Sequence, residues 1–284
     1  MKHDIKLIAL DLDGTLFNEK KEVTEYNKQT ILAAACAGVQ TIASTGRPYT
    51  GLPFEALREI GAKYAITANG AAIYDLQEEK RIYSDVLSHE LACELIELVQ
   101  VLDLRIDMIA DGQGYGEWRS YEDIGRLALS DHMKEYLRTT RKNVDSLVDF
   151  IRENPELKIE KVTLNFYPLS DGTYKEHDRV EKMLSERKDI SIVCGGYHNL
   201  EISSRTATKG SGLRVLAEQL GIELCQTMAC GDSENDIDIM QTAGIGVAMG
   251  NAEEKVKAIA DYVTKSNQED GVAHAIRKLV LGEE

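Results

Sequence analysis

Five cysteines stand in the chain, at Cys36, Cys93, Cys194, Cys225 and Cys230, and no two form a Cys-x-x-Cys pair. That spacing excludes the common zinc-site and thioredoxin-like readings. An odd, scattered set suits reduced thiols of a cytoplasmic protein better than a disulfide framework. Proline is scarcer still, with four in 284 residues and neither a low-complexity tract nor an internal repeat. A string of modules on flexible linkers is thereby excluded. Long hydrophobic runs are missing as well. The apolar stretch at 5–10 ends at Asp11 and is too short for a signal-peptide core or a membrane span. Positive charge is in deficit, since 33 lysines and arginines against 48 aspartates and glutamates leave −15 with histidine neutral. Such a chain repels nucleic acid and anionic membranes at long range. What is present is ordinary globular material, 43% hydrophobic and 29% charged, over a length that suits about two domains. That amount buries substantial cores without a disulfide or metal staple. A soluble, cytoplasmic protein with a small-molecule partner is expected.

In residues 1–83, short apolar runs alternate with helical patterns. Strands are expected at 5–10, 39–43 and 64–68, with helices at 25–37 and 52–60 that stop at Gly38 and Gly61. This βαβαβ rhythm implies a parallel sheet with right-handed crossovers, which binds ligands beyond the carboxyl ends of its strands. The rhythm resumes after residue 196. Helices are expected at 209–220, 234–241, 252–260 and 272–281, and strands at 226–230, 245–249 and 262–263. Between the two lies a different pattern. Ser88 caps a helix with Leu91, Leu95, Leu98 and Leu102 on one face. A hairpin follows at 105–118, then two helical stretches broken at Asn154-Pro155. Next come a strand with one buried face at Val162, Leu164 and Phe166, a helix at 174–186 and a strand at 190–193. The expected fold is α/β: a doubly wound, Rossmann-like parallel-sheet core (1–83 and 197–284) with an inserted α+β cap (84–196).

The first strand ends in Asp11-Leu12-Asp13-Gly14-Thr15. A solvated turn accounts for Asp and Gly in general. Two carboxylates at the end of a buried strand suit chemistry better: they bind a divalent cation while one attacks phosphorus and the other moves a proton. The second strand ends in Ser44-Thr45-Gly46-Arg47-Pro48, whose hydroxyl and open backbone N–H groups suit a phosphate oxygen, although the composition is also that of a plain loop. After the 226–230 strand comes Gly231-Asp232-Ser233-Glu234-Asn235-Asp236. Helix capping explains Ser233 and Glu234. It does not explain Asp232 on the same sheet edge as Asp11 and Asp13, where three carboxylates repel without a cation. An oxygen-only ligand set beside phosphate points to Mg²⁺. Lys209, in Thr208-Lys209-Gly210, opens a helix and in isolation reads as a solvated surface charge.

Joined in order, these signals resemble the haloacid dehalogenase superfamily of aspartate-nucleophile phosphotransferases, in the Cof-type branch with a large α/β cap. Asp11 to Leu16 is similar to motif one, Thr45-Gly46-Arg47 to motif two, Lys209-Gly210 to motif three and Gly231 to Asp236 to motif four. Asn69-Gly70-Ala71 matches a further branch marker, and the likeness runs almost the full length. The resemblance implies a Mg²⁺-dependent phosphatase acting on small phosphate monoesters, sugar phosphates or phosphorylated cofactors, through an aspartyl-phosphate. Asp11 is then the nucleophile and Asp13 the acid and base. Asp11, the backbone carbonyl of Asp13, Asp232 and Asp236 hold the metal. Thr45, Gly46, Lys209 and Asn235 bind the phosphoryl oxygens, and Arg47, Asn69 and Gly70 face the substrate. Two other readings stand beside it: a sugar phosphomutase using the same aspartates, and a non-catalytic phospho-acceptor or binding module.

Overall fold

The computed structural model describes residues 4–194 and 198–283. In chain order the strands are β1 (Leu7–Leu10), β2 (Gln40–Ser44), β3 (Tyr64–Thr67), β4 (Ala72–Asp75), β5 (Lys80–Ser84), β6 (Leu104–Ala110) and β7 (Gln113–Glu117). They continue as β8 (Arg141–Val144), β9 (Ile159–Phe166), β10 (Ile190–Val193), β11 (Asn199–Ser204), β12 (Thr227–Gly231), β13 (Ile245–Ala248) and β14 (Tyr262–Val263). The chain divides into two compact units, one of residues 1–46, 53–83 and 208–284 and the other of 47–52 and 84–207.

The first unit holds an eight-stranded sheet in the order β14-β13-β12-β1-β2-β3-β4-β5. It is parallel from β14 to β3 and turns antiparallel at β4. All four residues of β1 are buried, as a central strand covered on both faces requires, and each buried leucine or isoleucine contributes about 1.5–3 kcal/mol. The register is what builds the site. Leu10 stands opposite both Cys230 and Ala43, so β12, β1 and β2 end side by side and the residues after them share one edge. Helices return the chain between strands. Thr24 caps the helix Glu25–Cys36 by accepting from the Asn27 N–H, and Gly38, at φ +87°, turns the chain out of it. Thr208 and Ser211 form a reciprocal cap on the helix Lys209–Leu220, which ends at Gly221 in the left-handed region.

Several elements differ from the sequence expectation. The β4–β5 pair was not expected; β5 is a half-exposed edge strand with no apolar run to announce it. The expected helices at 234–241 and 252–260 shrink to a 3₁₀ turn plus Ile237–Thr242 and to Glu254–Lys257. The last helix becomes Gly271–Ala275 followed by a wider π-type turn at Ile276–Leu281.

The second unit is a six-stranded sheet in the order β10-β11-β9-β6-β7-β8. Its apolar face packs on the helices His89–Val99, Leu147–Glu153 and Lys175–Leu184. Of the leucine stripe expected on the first of these, Leu95 is buried and Leu91 and Leu102 pack against the core, whereas Leu98 is 40% exposed; Ala92, Cys93, Ile96 and Val99 complete the buried face. Nor does β9 have one buried face, because all eight of its residues are buried. Its polar side is satisfied by partners. The Asn165 amide donates to Asp107 at 2.9 Å, and Lys161 pairs with Glu201 at 2.8 Å. Arg105, fully buried, meets Asp107 at 2.7 Å and donates to the Ser120 carbonyl at 2.6 Å. Strands β8 and β11 were also unexpected. Strand β8 is a polar tetrapeptide made a strand by pairing with β7, and β11 is held between β9 and β10. The boundary expected near residue 196 lies outside the described residues, and the second unit continues through Ala207. No helix among the described residues is long and apolar enough to cross a membrane.

Candidate active site

Asp11 follows β1 directly, and its N–H donates to the Cys230 carbonyl, so the ladder extends one residue beyond the strand. The chain then folds back on itself: Leu16 N–H donates to the Asp11 carbonyl and Phe17 N–H to that of Leu12. Gly14 sits at φ +90°, and a Cβ there would run into the Asp232 carboxylate. Only glycine meets both demands, the backbone hand and the empty volume. This tight loop presents Asp11, 7% exposed, to the residues arriving from β12 and from the helix Lys209–Leu220.

Lys209 is the pivot. It is 1% exposed, and its Nζ lies 2.7 Å from Asp11 Oδ1 and 2.6 Å from Asp236 Oδ1. The solvated-charge reading of this lysine is therefore wrong: an amphipathic stem reaching inward and two carboxylates make burial possible. Asp236, fully buried, also accepts through Oδ2 from the N–H groups of Asp232 and Ser233 at 3.0 and 3.1 Å. It thus braces the turn that carries Asp232. Gly231 gives it room, since a Cβ at that position would occupy the space of the Asp236 side chain. Asp232 is oriented from the other side, by the Thr15 hydroxyl at 2.8 Å.

Oxygens of Asp11, Asp232 and Asp236 lie within 4.8 Å of one another. Burial pushes the Asp11 carboxyl well above its usual range; Lys209 opposes the rise, and Asp236 and Asp232 add to it. Burial, then Asp236, push Asp232 up to about 7, against the Thr15 hydrogen bond and Lys209. Burial disfavours the charge on Lys209, but Asp11 and Asp236 outweigh it and hold the ammonium above its ordinary range. One ammonium does not compensate three carboxylates. The surplus negative charge and the all-oxygen donor set fit a hard divalent cation.

The other expected residues fall as follows. Thr45 is buried, and its N–H donates to the Ile66 carbonyl while its own carbonyl accepts from Asn69 N–H. Asn69, at φ +59°, meets Asn235 through a 3.2 Å amide contact. This joins the marker after β3 to the turn after β12. Gly70, at φ +101°, lies against the Thr208 carbonyl, where a Cβ would collide with backbone. Gly46 closes the first unit's segment, whereas Arg47 belongs to the second unit, with its guanidinium 5.1 Å from the Tyr136 ring centroid. The Asp13 side chain is not in the three-carboxylate group; it pairs with Lys21 at 2.9 Å. Sequence reasoning missed Thr15, Lys21 and Asn251, whose amide donates to the Gly14 carbonyl at 2.9 Å. Thr15 stood beside the aspartate pair, but nothing local linked it to Asp232.

A buried aspartate, a lysine and two further acids thus meet at one edge of an α/β sheet, an arrangement that fits phosphoryl-transfer chemistry. The chain belongs to the haloacid dehalogenase-like hydrolases, whose family profile matches residues 8–276. It is 32% identical to "Phosphatase YwpJ" of Bacillus subtilis (strain 168), over 97% of this chain and 100% of that protein. It is also 32% identical to "5-amino-6-(5-phospho-D-ribitylamino)uracil phosphatase YcsE" of the same organism, over 98% and 97%. A solved haloacid dehalogenase-like hydrolase from B. subtilis superposes with a TM-score of 0.85 at 30% identity, covering 97% of this chain and all of that one.

Proposed function

We propose that this protein is a Mg²⁺-dependent phosphatase of small phosphate monoesters, working through an aspartyl-phosphate on Asp11. The observation that carries the reading is the buried Asp11 carboxylate, held by Lys209 at 2.7 Å and gathered with Asp232 and Asp236 beyond the carboxyl ends of parallel strands. Asp11 attacks phosphorus in line and forms the acyl phosphate as the ester P–O bond breaks. Asp13 gives its proton to the leaving oxygen. Water then attacks the acyl phosphate, Asp13 takes the water's proton back, and inorganic phosphate leaves. Asp11 and Asp232, with the Asp13 carbonyl, hold the cation, and Asp236, already engaged by Lys209 and two N–H groups, fixes their spacing. Bound there, Mg²⁺ neutralises charge on the phosphoryl group and orients it. Thr45, Gly46, Lys209 and Asn235 bind the phosphoryl oxygens, and Arg47, Asn69 and Gly70 meet the rest of the substrate. Sugar phosphates and phosphorylated cofactors are the substrate classes we assign, the latter supported by the relative named for a phosphoribitylamino-uracil.

A screen of phosphate monoesters with purified protein tests this. Turnover that requires Mg²⁺, is lost in Asp11→Asn and releases inorganic phosphate supports the reading. Full activity in excess chelator or in Asp11→Asn refutes it, and conversion of a sugar phosphate to its isomer without phosphate release assigns a mutase.

A further inference from the structure

The Asp13 side chain has a dedicated partner outside the metal and phosphate set. Lys21 Nζ donates to Asp13 Oδ1 at 2.9 Å, and both side chains are mostly shielded, 28% and 23% exposed. Taken alone, a pair at this exposure is a common surface contact with little effect on stability. The backbone argues otherwise. Lys21 sits at φ +61°, in the left-handed region where glycine or asparagine is the ordinary choice. The conformation is built rather than incidental. Asn18 Oδ1 accepts from Lys20 N–H at 2.9 Å and Glu22 N–H at 3.0 Å. The Lys21 N–H donates to the Asn18 carbonyl and the Asn18 N–H to that of Glu22. This closed turn is anchored in its turn. Phe17 bridges back to Asp13, and its carbonyl accepts from Asn267 Nδ2 at 2.8 Å. A turn alone would be served better by glycine; a lysine kept there in spite of the strain points to its side chain.

We propose that Lys21 is a positioning residue for Asp13: its ammonium holds one carboxyl oxygen and so sets the rotamer in which Asp13 delivers a proton to the leaving oxygen as the ester bond breaks. This rests on the reading of Asp13 as acid and base given above. Misplacing such a group by about 1 Å costs up to about a hundredfold in rate. The loss falls on the step that needs the proton, so it scales with how poor the leaving group is.

The experiment compares phenyl phosphate with p-nitrophenyl phosphate, two esters of similar shape whose leaving groups differ in their need for a proton. Lys21→Met, Lys21→Gly, Lys21→Arg and Asp13→Asn are each assayed with Mg²⁺ present, with thermal melting recorded in parallel. Lys21→Met is expected to lower kcat on phenyl phosphate about tenfold or more and on p-nitrophenyl phosphate about twofold or less, with KM nearly unchanged. Lys21→Gly, which suits the backbone, should show the same split with an equal or higher melting temperature, which excludes misfolding as the cause. Lys21→Arg should restore most of the loss. Asp13→Asn should show the same split, larger. If Asp13→Asn splits the two esters and Lys21→Met and Lys21→Gly do not, or if Lys21→Arg fails to rescue, the inference about Lys21 is overturned. If Asp13→Asn itself lowers both esters equally, it is the reading of Asp13 as acid that falls.

Discussion

Thr15 Oγ1 donates to Asp232 Oδ1 at 2.8 Å, across 217 residues of sequence. The threonine is fully buried and Asp232 half-buried, and the bond joins the loop after β1 to the turn after β12. Asp232 is thereby held in one rotamer although its carboxyl resists ionisation. In the proposed function Asp232 is a metal ligand, and a ligand carboxylate depends on its orienting partner.

Thr15→Val, close in shape but without the hydroxyl, is expected to raise the Mg²⁺ concentration for half-maximal activity about tenfold or more. Thr15→Ser should stay near the parent. Mg²⁺ activation curves and the Mg²⁺-induced shift in melting temperature check both; equal behaviour of the two variants would remove the orienting role.

Lys209→Met leaves Asp11 and Asp236 facing each other without their shared cation. Removing one partner of a buried ion pair costs about 3–5 kcal/mol, so the metal-free variant should unfold at markedly lower urea and show no turnover. Added Mg²⁺ should recover part of the stability but none of the activity, because it neutralises the carboxylates without replacing the Nζ contact at 2.7 Å.

Gly70 and Gly61 both have positive φ, +101° and +68°, but their surroundings differ. A Cβ at Gly70 would collide with the Thr208 carbonyl, while nothing stands within 4 Å at Gly61. Gly61→Ala should cost about 1 kcal/mol for the backbone alone. Gly70→Ala should cost about 3 kcal/mol or more, adding overpacking, and should also lower activity because Thr208 caps the helix that carries Lys209. Urea denaturation of the pair, with activity measured alongside, separates the two terms.

In the second unit, Arg105 and Asp107 form a buried pair completed by Asn165 and Ser120. Arg105→Met alone should destabilise by about 3–5 kcal/mol, since it leaves Asp107 uncompensated. Combining it with Asp107→Leu should cost clearly less than the sum of the single changes. A double-mutant cycle by chemical denaturation gives the coupling directly; strict additivity would show that the pair does not act as a unit.

Thiol reactivity offers a check on burial. Burial, then Asp236, push the Cys230 thiol up to about 12, so very little of it is thiolate at pH 8. Cys36 and Cys225 are exposed, and the Glu223 hydrogen bond raises the Cys225 thiol. A disulfide reagent at pH 8 should therefore modify Cys36 first and Cys225 more slowly, and should reach Cys230 only on unfolding. Peptide mapping after timed labelling reads the order.

Much of the candidate site was legible before any coordinates because its parts are local. Asp11, Thr45 and Asp232 each stand just beyond a short apolar run, and strand ends are marked by sequence where glycine and polar residues interrupt such runs. The helix over Lys209–Leu220 and the hairpin turn at Asp111 and Gly112, both at positive φ, follow from caps and turn chemistry of the same local kind. Strands β5, β8 and β11 escaped because pairing, not composition, makes them strands. A half-exposed edge and a polar tetrapeptide carry no period of their own, and the ladder partner supplies the preference.

The sequence by itself determined the chemistry available: an aspartate pair, an acidic turn and a lysine in a fixed order on a doubly wound α/β chain, because residue type and strand-end position are local properties. Only the tertiary structure decided which of these groups share charge. Lys209, a surface cation when read in isolation and a phosphate-binding lysine by resemblance, lies between Asp11 and Asp236 once the helix it opens is packed. Thr15 gains a role only because β1 and β12 are neighbours in the sheet, and Asn69 meets Asn235 across 166 residues. Hydrogen bonds and ion pairs act over a few ångströms while the chain separates their partners by hundreds of residues, so strand order and register decide which partners meet.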